Sequence, residues 1–320
     1  MDVISMGEMV IDFLPGTEPA SYLRNAGGAP ANMAIAAARN GLSAGMYCRV
    51  GDDDFGRFLL KTLEDNGVKP LLPELCETVF TTMAFVSLNE NNDRSFSFCR
   101  KPGADTQIAP SDIKDSDIEG CSLVHAGSVS LSGHPSDDAT RHFLKKAKEM
   151  QKLVSFDVNY RDLVWNEDRQ KCIDSVQEIF KYVDFLKISD EEEDMVGGVG
   201  NIAGLMEKEG ISLIVETLGA EGARCFYKGK EIRSKGYSFG AVADTTGAGD
   251  AFWGAFVSRL LILGVRKVSD ITEEIIKDAL DYGNISGSLC VTKKGAISSL
   301  PTREKIEEIR EAGLSIREEM

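Results

Sequence analysis

The densest run of chemistry-bearing residues in this 320-residue chain is Asp244-Thr245-Thr246-Gly247-Ala248-Gly249-Asp250-Ala251-Phe252. Apolar residues then recur at helical spacing through Phe252, Phe256 and Leu260, so a helix is expected to begin close to Asp250. The first amides of a helix lack intrahelical acceptors, and glycines let an anion approach them closely. Gly247, Ala248 and Gly249 therefore make a candidate anion hole for a phosphoryl group in transfer. Asp250 is the candidate base, because a loose phosphoryl-transfer transition state needs only a modest base that accepts the hydroxyl proton late. The fragment alone reads equally as a turn followed by a helix-capping Asp. A cap, however, needs one small polar residue, and here two glycines, two threonines and a second carboxylate share one turn.

A second run, Asn25-Ala26-Gly27-Gly28-Ala29-Pro30-Ala31-Asn32, places two glycines and a first-turn Pro before an alanine-rich helix. Gly27 and Gly28 permit close approach of a ligand, and the Asn32 amide can donate to and accept from a sugar hydroxyl. A tight turn with a polar helix-face Asn is the plain alternative. A third run, Asp157-Val158-Asn159-Tyr160-Arg161, follows a buried-strand pattern, where ligands of open α/β sheets collect. Lys187, Ser189 and Glu192 sit similarly after the 185–188 strand. Glu192 suits a metal-bound water, although within Asp190-Glu191-Glu192-Glu193-Asp194 a solvated helix start is the better reading. Gly198-Val199-Gly200-Asn201-Ile202-Ala203 follows an acidic segment rather than a strand, so it fails as a dinucleotide fingerprint. There is no Walker A sequence. His125 reads as a packed strand residue.

Strand patterns at 3–6, 46–50, 122–125, 153–156, 185–188 and 212–215 alternate with helical stretches at 31–40, 137–151, 168–182 and 190–196. That alternation predicts an α/β chain with a mostly parallel sheet covered by helices on both faces. Alternating segments at 81–88 and 94–100 around Asn91-Asn92-Asp93 predict a hairpin, read with the 10–14 strand as a small antiparallel β lid drawn from about 10–25 and 80–102. Nothing divides residues 1–320 into independent domains, and the 302–320 tail reads as a charged, solvated helix. The net charge of −15 argues against a nucleic-acid partner and obliges any phosphorylated ligand to find a local site. Seven scattered cysteines read as reduced thiols, and no segment looks like a secretory signal or a bilayer span, so a cytoplasmic chain without a membrane partner is expected. The exposed lid strands offer an edge for a homodimer through the lid.

Taken together, these motifs resemble the PfkB (ribokinase-like) family of carbohydrate kinases, and most closely its bacterial fructokinase branch. The resemblance covers nearly the whole chain and includes Gly27 to Asn32, Val50 to Gly56, Phe96 to Arg100, Pro102 to Asp105 and Asp244 to Phe252. It implies a Rossmann-like sheet with a β lid over the sugar, ATP on the far side of the anion hole, and Asp250 in the base position. It also implies that Asp12, Gly28 and Asn32 bind sugar hydroxyls, with Arg100 and Arg161 near the sugar or phosphate. Thr217, Gly219 and Gly222 match the nucleotide turn, Lys187 lies on the nucleotide side, and Asn284 lies where relatives contact adenine. Mg2+ is expected through Glu192, and a monovalent cation, usually K+, at Asp244, Thr246 and the loop ending at Ser299.

Three positions depart from the family pattern. Ser189 replaces Asn in the metal-linked Asn-x-x-Glu, Glu216 stands where an apolar residue is usual, and Tyr160 replaces a smaller apolar residue. Fructose is the expected substrate. Alternatives are 2-keto-3-deoxygluconate, suggested by Asp157-x-Asn159-x-Arg161, and ribose or a nucleoside. A non-catalytic sugar-binding protein of the same family is the reading from a different class.

Overall fold

The computed structural model describes residues 1–16, 18, 20–88 and 94–313. Its strands are β1 Val3–Met6, β2 Val10–Pro15, β3 Tyr22–Gly27, β4 Ala44–Tyr47, β5 Val68–Pro70, β6 Met83–Leu88 and β7 Arg94–Cys99. They continue with β8 Leu123–Gly127, β9 Leu153–Asp157, β10 Phe185–Ser189, β11 Leu213–Thr217, β12 Ala223–Tyr227 and β13 Lys230–Ser234. The helices are α1 Ala29–Arg39, α2 Asp54–Asp65, α3 Asp115–Glu119, α4 Ser136–Glu149 and α5 Arg169–Ile179. The later ones are α6 Ile202–Glu209, α7 Ala248–Ile262, α8 Glu273–Cys290, α9 Ala296–Ser299 and α10 Arg303–Glu311.

Strands β1, β4, β8 and β9 are buried at every residue, the signature of a sheet covered on both faces. The main sheet has the order β13-β12-β11-β10-β9-β8-β1-β4-β5, parallel from β5 to β11 and antiparallel through β12 and β13. Chain order reverses around β1, so a crevice opens at the carboxyl ends of β1, β8, β9, β10 and β11. The chain leaves β1 there and enters a second sheet of order β3-β2-β6-β7. This is the expected small separate sheet, with β6 and β7 paired antiparallel from Met83↔Cys99 to Leu88↔Arg94, but it is mixed rather than antiparallel throughout, since β2 pairs β6 in parallel. The turn Asn91-Asn92-Asp93 lies outside the described residues. Asn25 to Gly27, expected as part of a turn, is instead the end of lid strand β3 and pairs with β2.

The lid is seated by aromatic contacts. Phe13 stacks on Phe85 at 4.8 Å, Phe55 of α2 meets Phe13 edge-on at 5.6 Å, and the Arg24 guanidinium lies 3.9 Å above the Phe58 ring. At the foot of β7, Arg100 pairs with buried Asp105 at 2.7 Å, and Asp105 also accepts from Thr82.

Small residues bring three helices together over one face of the sheet. A Cβ on Gly254 of α7 would lie 2.5 Å from the Ala36 Cβ of α1, and one on Gly283 of α8 would lie 2.9 Å from the Phe252 ring. On the sheet side, Trp253 Nε1 donates to Ser155 Oγ at 2.9 Å, and His125 Nδ1 bonds the same hydroxyl at 3.0 Å. Burial drives His125 down to about 3, so it is neutral and structural.

Three local readings need correction. The strand expected at 46–50 is β4 Ala44–Tyr47, and residues 48–50 lie outside it. Residues Asp190–Val196 form a 3₁₀ segment rather than an α-helix, closed by left-handed Gly197. The tail is not merely a solvated face either: Ile306 and Ile309 of α10 are buried against Tyr282 and Ile285, while Arg310 bonds Asp278 at 2.5 Å. Amphipathic spacing hidden in a charged run explains the difference. Residues 314–320, the rest of that expected helix, lie outside the described residues. Ile306→Ala should therefore cost about 2–4 kcal/mol of stability, read as a lower midpoint in urea, whereas a solvated tail would leave the midpoint unchanged.

Candidate active site

Helix α7 opens at Gly247, which takes the N-cap position with φ 80°. An ordinary residue fails there on two counts, the left-handed backbone and a Cβ that would lie 2.9 Å from the Ala296 Cβ. Asp250 is accordingly not the cap but the third helical residue, and it is buried. Its Oδ2 accepts a 2.7 Å hydrogen bond from Asn32 Nδ2 of α1. Asn32 is buried as well, and its Oδ1 has no hydrogen-bond partner. The Ala248 amide donates to Thr245 O at 3.2 Å, while helix geometry leaves the Gly249 and Asp250 amides without intrahelical acceptors. A Cβ built on Gly249 would stand 3.4 Å from Lys187 Nζ, which places an ammonium beside that turn.

Lys187 and Asp157 are register partners on β10 and β9. Lys187 Nζ contacts both Asp157 oxygens, at 2.9 and 2.8 Å, with both side chains nearly sealed from solvent. Burial alone would lower the Lys187 pKa. Asp157 and Glu192 outweigh it and raise the value, so the ammonium stays charged. Glu192 is buried rather than solvated. Its Oε2 accepts from Ser189 N at 2.9 Å and its Oε1 from Tyr160 N at 2.6 Å, so one carboxylate braces the loops after β9 and β10. Asn159, next to it, holds φ 40°, a left-handed conformation that Asn tolerates better than most residues. The Tyr160 ring lies under the Arg169 guanidinium at 4.6 Å.

Asp12 projects from lid strand β2 over Gly27, where a Cβ would be 2.1 Å from its Oδ2. Burial pushes the Asp12 carboxyl up to about 6, with the positive charge of Arg161 opposing the shift. Gly28 starts α1 at φ 116° against the Glu8 carbonyl. Arg100 is committed to Asp105, Ser132 Oγ at 2.8 Å and Val129 O at 3.2 Å, so here it anchors the lid rather than standing open.

On the far side, Gly219 and Gly222 both have positive φ. A Cβ on Gly222 would meet Ser234 O at 2.3 Å, so the turn is packed against the loop after β13. Thr217 Oγ1 donates to Ile188 O at 3.4 Å, and Asn284 Nδ2 donates to Ser234 O and Lys235 O at 3.0 and 3.2 Å. Glu216, in the place of the usual apolar residue, is fully buried and bidentate with Arg224 at 2.7 and 2.9 Å. Below the α7 turn, Asp244 Oδ1 accepts from Thr246 N and Oγ1 at 3.0 and 2.7 Å, and its Oδ2 from Gly295 N at 3.0 Å. Ser299 bonds Cys290 Sγ at 2.9 Å in the same region.

The arrangement centres on a buried carboxylate, held by Asn32, at a helix start whose first amides lack intrahelical acceptors. A model described as pfkB family carbohydrate kinase matches residues 1–303. The chain belongs to the pfkB family of carbohydrate kinases. This pfkB chain is 34% identical over 322 residues to fructokinase-1 of Oryza sativa subsp. japonica, covering 97% of this chain and 98% of that protein. It superposes on fructokinase from Vibrio cholerae O395, solved with fructose, ADP and calcium, with TM-score 0.86 and 34% identity over 96% of this chain and 98% of that one. A double mutant of that enzyme, solved with fructose, ADP and potassium, has TM-score 0.86 and 33% identity over the same shares.

In this pfkB chain, sequence reasoning missed the pairing of Asp157 with Lys187 and of Arg100 with Asp105. The first joins neighbouring strands and the second spans the short 101–104 connection, and neither shows as a repeating pattern. Asp12 yields a test of the site's electrostatics. Between the ordinary carboxylate value of about 4 and about 6, the folded chain retains a proton that the unfolded chain has released. Stability therefore falls as pH rises through that window, and the full cost is present at pH 7. Asp12→Asn is expected to stabilise the ligand-free protein by about 1–2 kcal/mol at pH 7 and by almost nothing at pH 4, measured by urea unfolding. An equal gain at both pH values would contradict an electrostatic origin.

Proposed function

We propose that this pfkB chain is an ATP-dependent fructokinase that converts D-fructose and ATP to D-fructose 6-phosphate and ADP. The observation that carries the reading is the Asn32-held Asp250 carboxylate at the Gly247–Gly249 turn. A sugar lies between the lid and the sheet, with Asp12, the Gly27–Gly28 backbone and the unpartnered Asn32 Oδ1 meeting its hydroxyls, and Asn159 and Arg161 at its rim. The 6-hydroxyl oxygen attacks the γ-phosphorus as the bond to the β-phosphate bridging oxygen breaks, and Asp250 takes the hydroxyl proton. The amides of the α7 turn and the Lys187 ammonium stabilise the charge on the moving phosphoryl group. Arg100 holds the lid foot in register with this pocket. Thr217, Gly219, Gly222 and Asn284 line the nucleotide side.

The residues also fit two cations. Glu192, beside Lys187, offers carboxylate lone pairs suited to a water of Mg2+, which would neutralise phosphate charge. The Asp244 carboxylate, with Thr246, meets the start of α9 at Gly295, and with Ser299 at the end of that helix it offers an oxygen-rich cradle suited to K+, where the expected loop is a short helix. Among the described residues no helix is long and apolar enough to cross a membrane, and the seven cysteines are free, which supports a cytoplasmic setting. Exposed Tyr22 and Leu23 on lid-edge strand β3 support a homodimer through the lid.

An acid sugar is disfavoured because Arg161 already faces the Asp12 carboxylate and Lys187 is held by Asp157. A coupled ADP assay over fructose, ribose and 2-keto-3-deoxygluconate should give the highest kcat/KM for fructose. A higher value for either other sugar would overturn the substrate. In the same assay Asp250→Asn should lower kcat by about three orders of magnitude while fructose still binds, whereas near-normal turnover would remove the base assignment.

A further inference from the structure

Helix α1 carries Asn32, yet its N-terminus has no cap of its own. Gly28 at the N-cap position makes no side-chain hydrogen bond, and a Cβ there would lie 2.4 Å from the Glu8 carbonyl oxygen. Ser, Asp or Asn, the usual caps, are therefore sterically excluded. Pro30 contributes no amide, so the exposed donor at the very start of the helix is Ala29 N. Glu8 meets it from outside the helix, with Oε1 accepting at 3.2 Å.

Glu8 sits where the chain leaves β1 for the lid and is only 6% exposed. Its second oxygen, Oε2, is buried with no hydrogen-bond partner. The nearby cation, Arg100 at the lid foot, is already engaged by Asp105, Ser132 and Val129. Burial, reinforced by Asp105 and opposed by the Glu8 and Ala29 amides and by Arg100, pushes the Glu8 carboxyl up to about 8. At pH 7 it is thus mainly a neutral hydrogen-bonding group. A buried acid with a spare oxygen is costly to fold, and an apolar side chain would fill the same space without that cost.

We propose that Glu8 is a positioning residue: its Oε1 caps α1 from the β1–β2 junction, fixes the Gly28–Ala29 turn, and so sets Asn32 within reach of Asp250. The inference rests on the reading of Asp250 as the base and of fructose as the sugar. It makes the acceptor atom, not the charge, the property that matters.

The test compares Glu8→Met, which keeps length and removes the acceptor, with Glu8→Gln, which keeps an acceptor for the Ala29 amide. Steady-state assays of the full chain with fructose, ATP and magnesium should show Glu8→Met lowering kcat at least tenfold and raising the fructose KM at least fivefold, with the ATP KM within twofold. Glu8→Gln should recover most of that loss. The idea fails if Glu8→Met turns over like the wild type, if Glu8→Gln is as impaired as Glu8→Met, or if the ATP KM rises as much as the fructose KM. Should Glu8→Met not fold, Glu8→Ala is read by the same criteria. Asp250→Asn, assayed alongside, separates the two claims: an active Asp250→Asn sinks the base, while an inactive Asp250→Asn beside an unimpaired Glu8→Met sinks only the role of Glu8.

Discussion

The hydrogen bond from Asn32 Nδ2 to Asp250 Oδ2 ties together two helix N-termini separated by 218 residues of sequence. A carboxylate buried at a helix start needs partners, and the positive end of the helix dipole supplies only part of the compensation. The Asn supplies a donor while leaving its own oxygen available. For the bond to form, α1 and α7 must pack closely. The alanines of α1 and Gly254 of α7 are what permit it, since a single added Cβ would stand 2.5 Å from Ala36. The packing of small residues thus sets the Asn32–Asp250 contact.

Electrostatics follow the same logic. The chain carries a net charge of −15 and must still receive a polyanion. What it offers locally is a helix start with free backbone amides and, beside it, one lysine held charged by Asp157 and Glu192. Glu192 has a second task, since its two oxygens fasten the loops after β9 and β10 to one another. On the lid side burial pushes the Asp12 carboxyl up to about 6, against the positive charge of Arg161. The lid therefore carries a stored electrostatic cost as well as a cover.

The elements that sequence made plain were those with strong periodicity or glycine punctuation: the parallel strands, the hairpin of β6 and β7, and the α1 and α7 starts. Of the residues that the motifs singled out, Asn32 and Asp250 are in direct contact. What periodicity could not reveal were partnerships made across the sheet. Glu192 looked like one of five acids in a solvated run, but its carboxylate is buried on two amides. Glu216 looked misplaced until Arg224, eight residues on and directly opposite it in the antiparallel β12 register, satisfied both its oxygens. Arg100 looked free for a ligand, yet Asp105 claims it. The α10 helix hid two buried isoleucines inside a charged run. In each case the missing information was a partner set by the three-dimensional register rather than by periodicity, or a burial that local polarity masked.

The central claim, that Asn32 acts by orienting Asp250, is tested most directly by a double-mutant cycle on kcat using Asn32→Ala, Asp250→Asn and the double variant. If Asn32 works through the carboxylate, its substitution costs activity in the wild-type background and almost nothing once Asp250 is already Asn. Equal fold-losses in both backgrounds would contradict the account and make the 2.7 Å contact a packing feature alone.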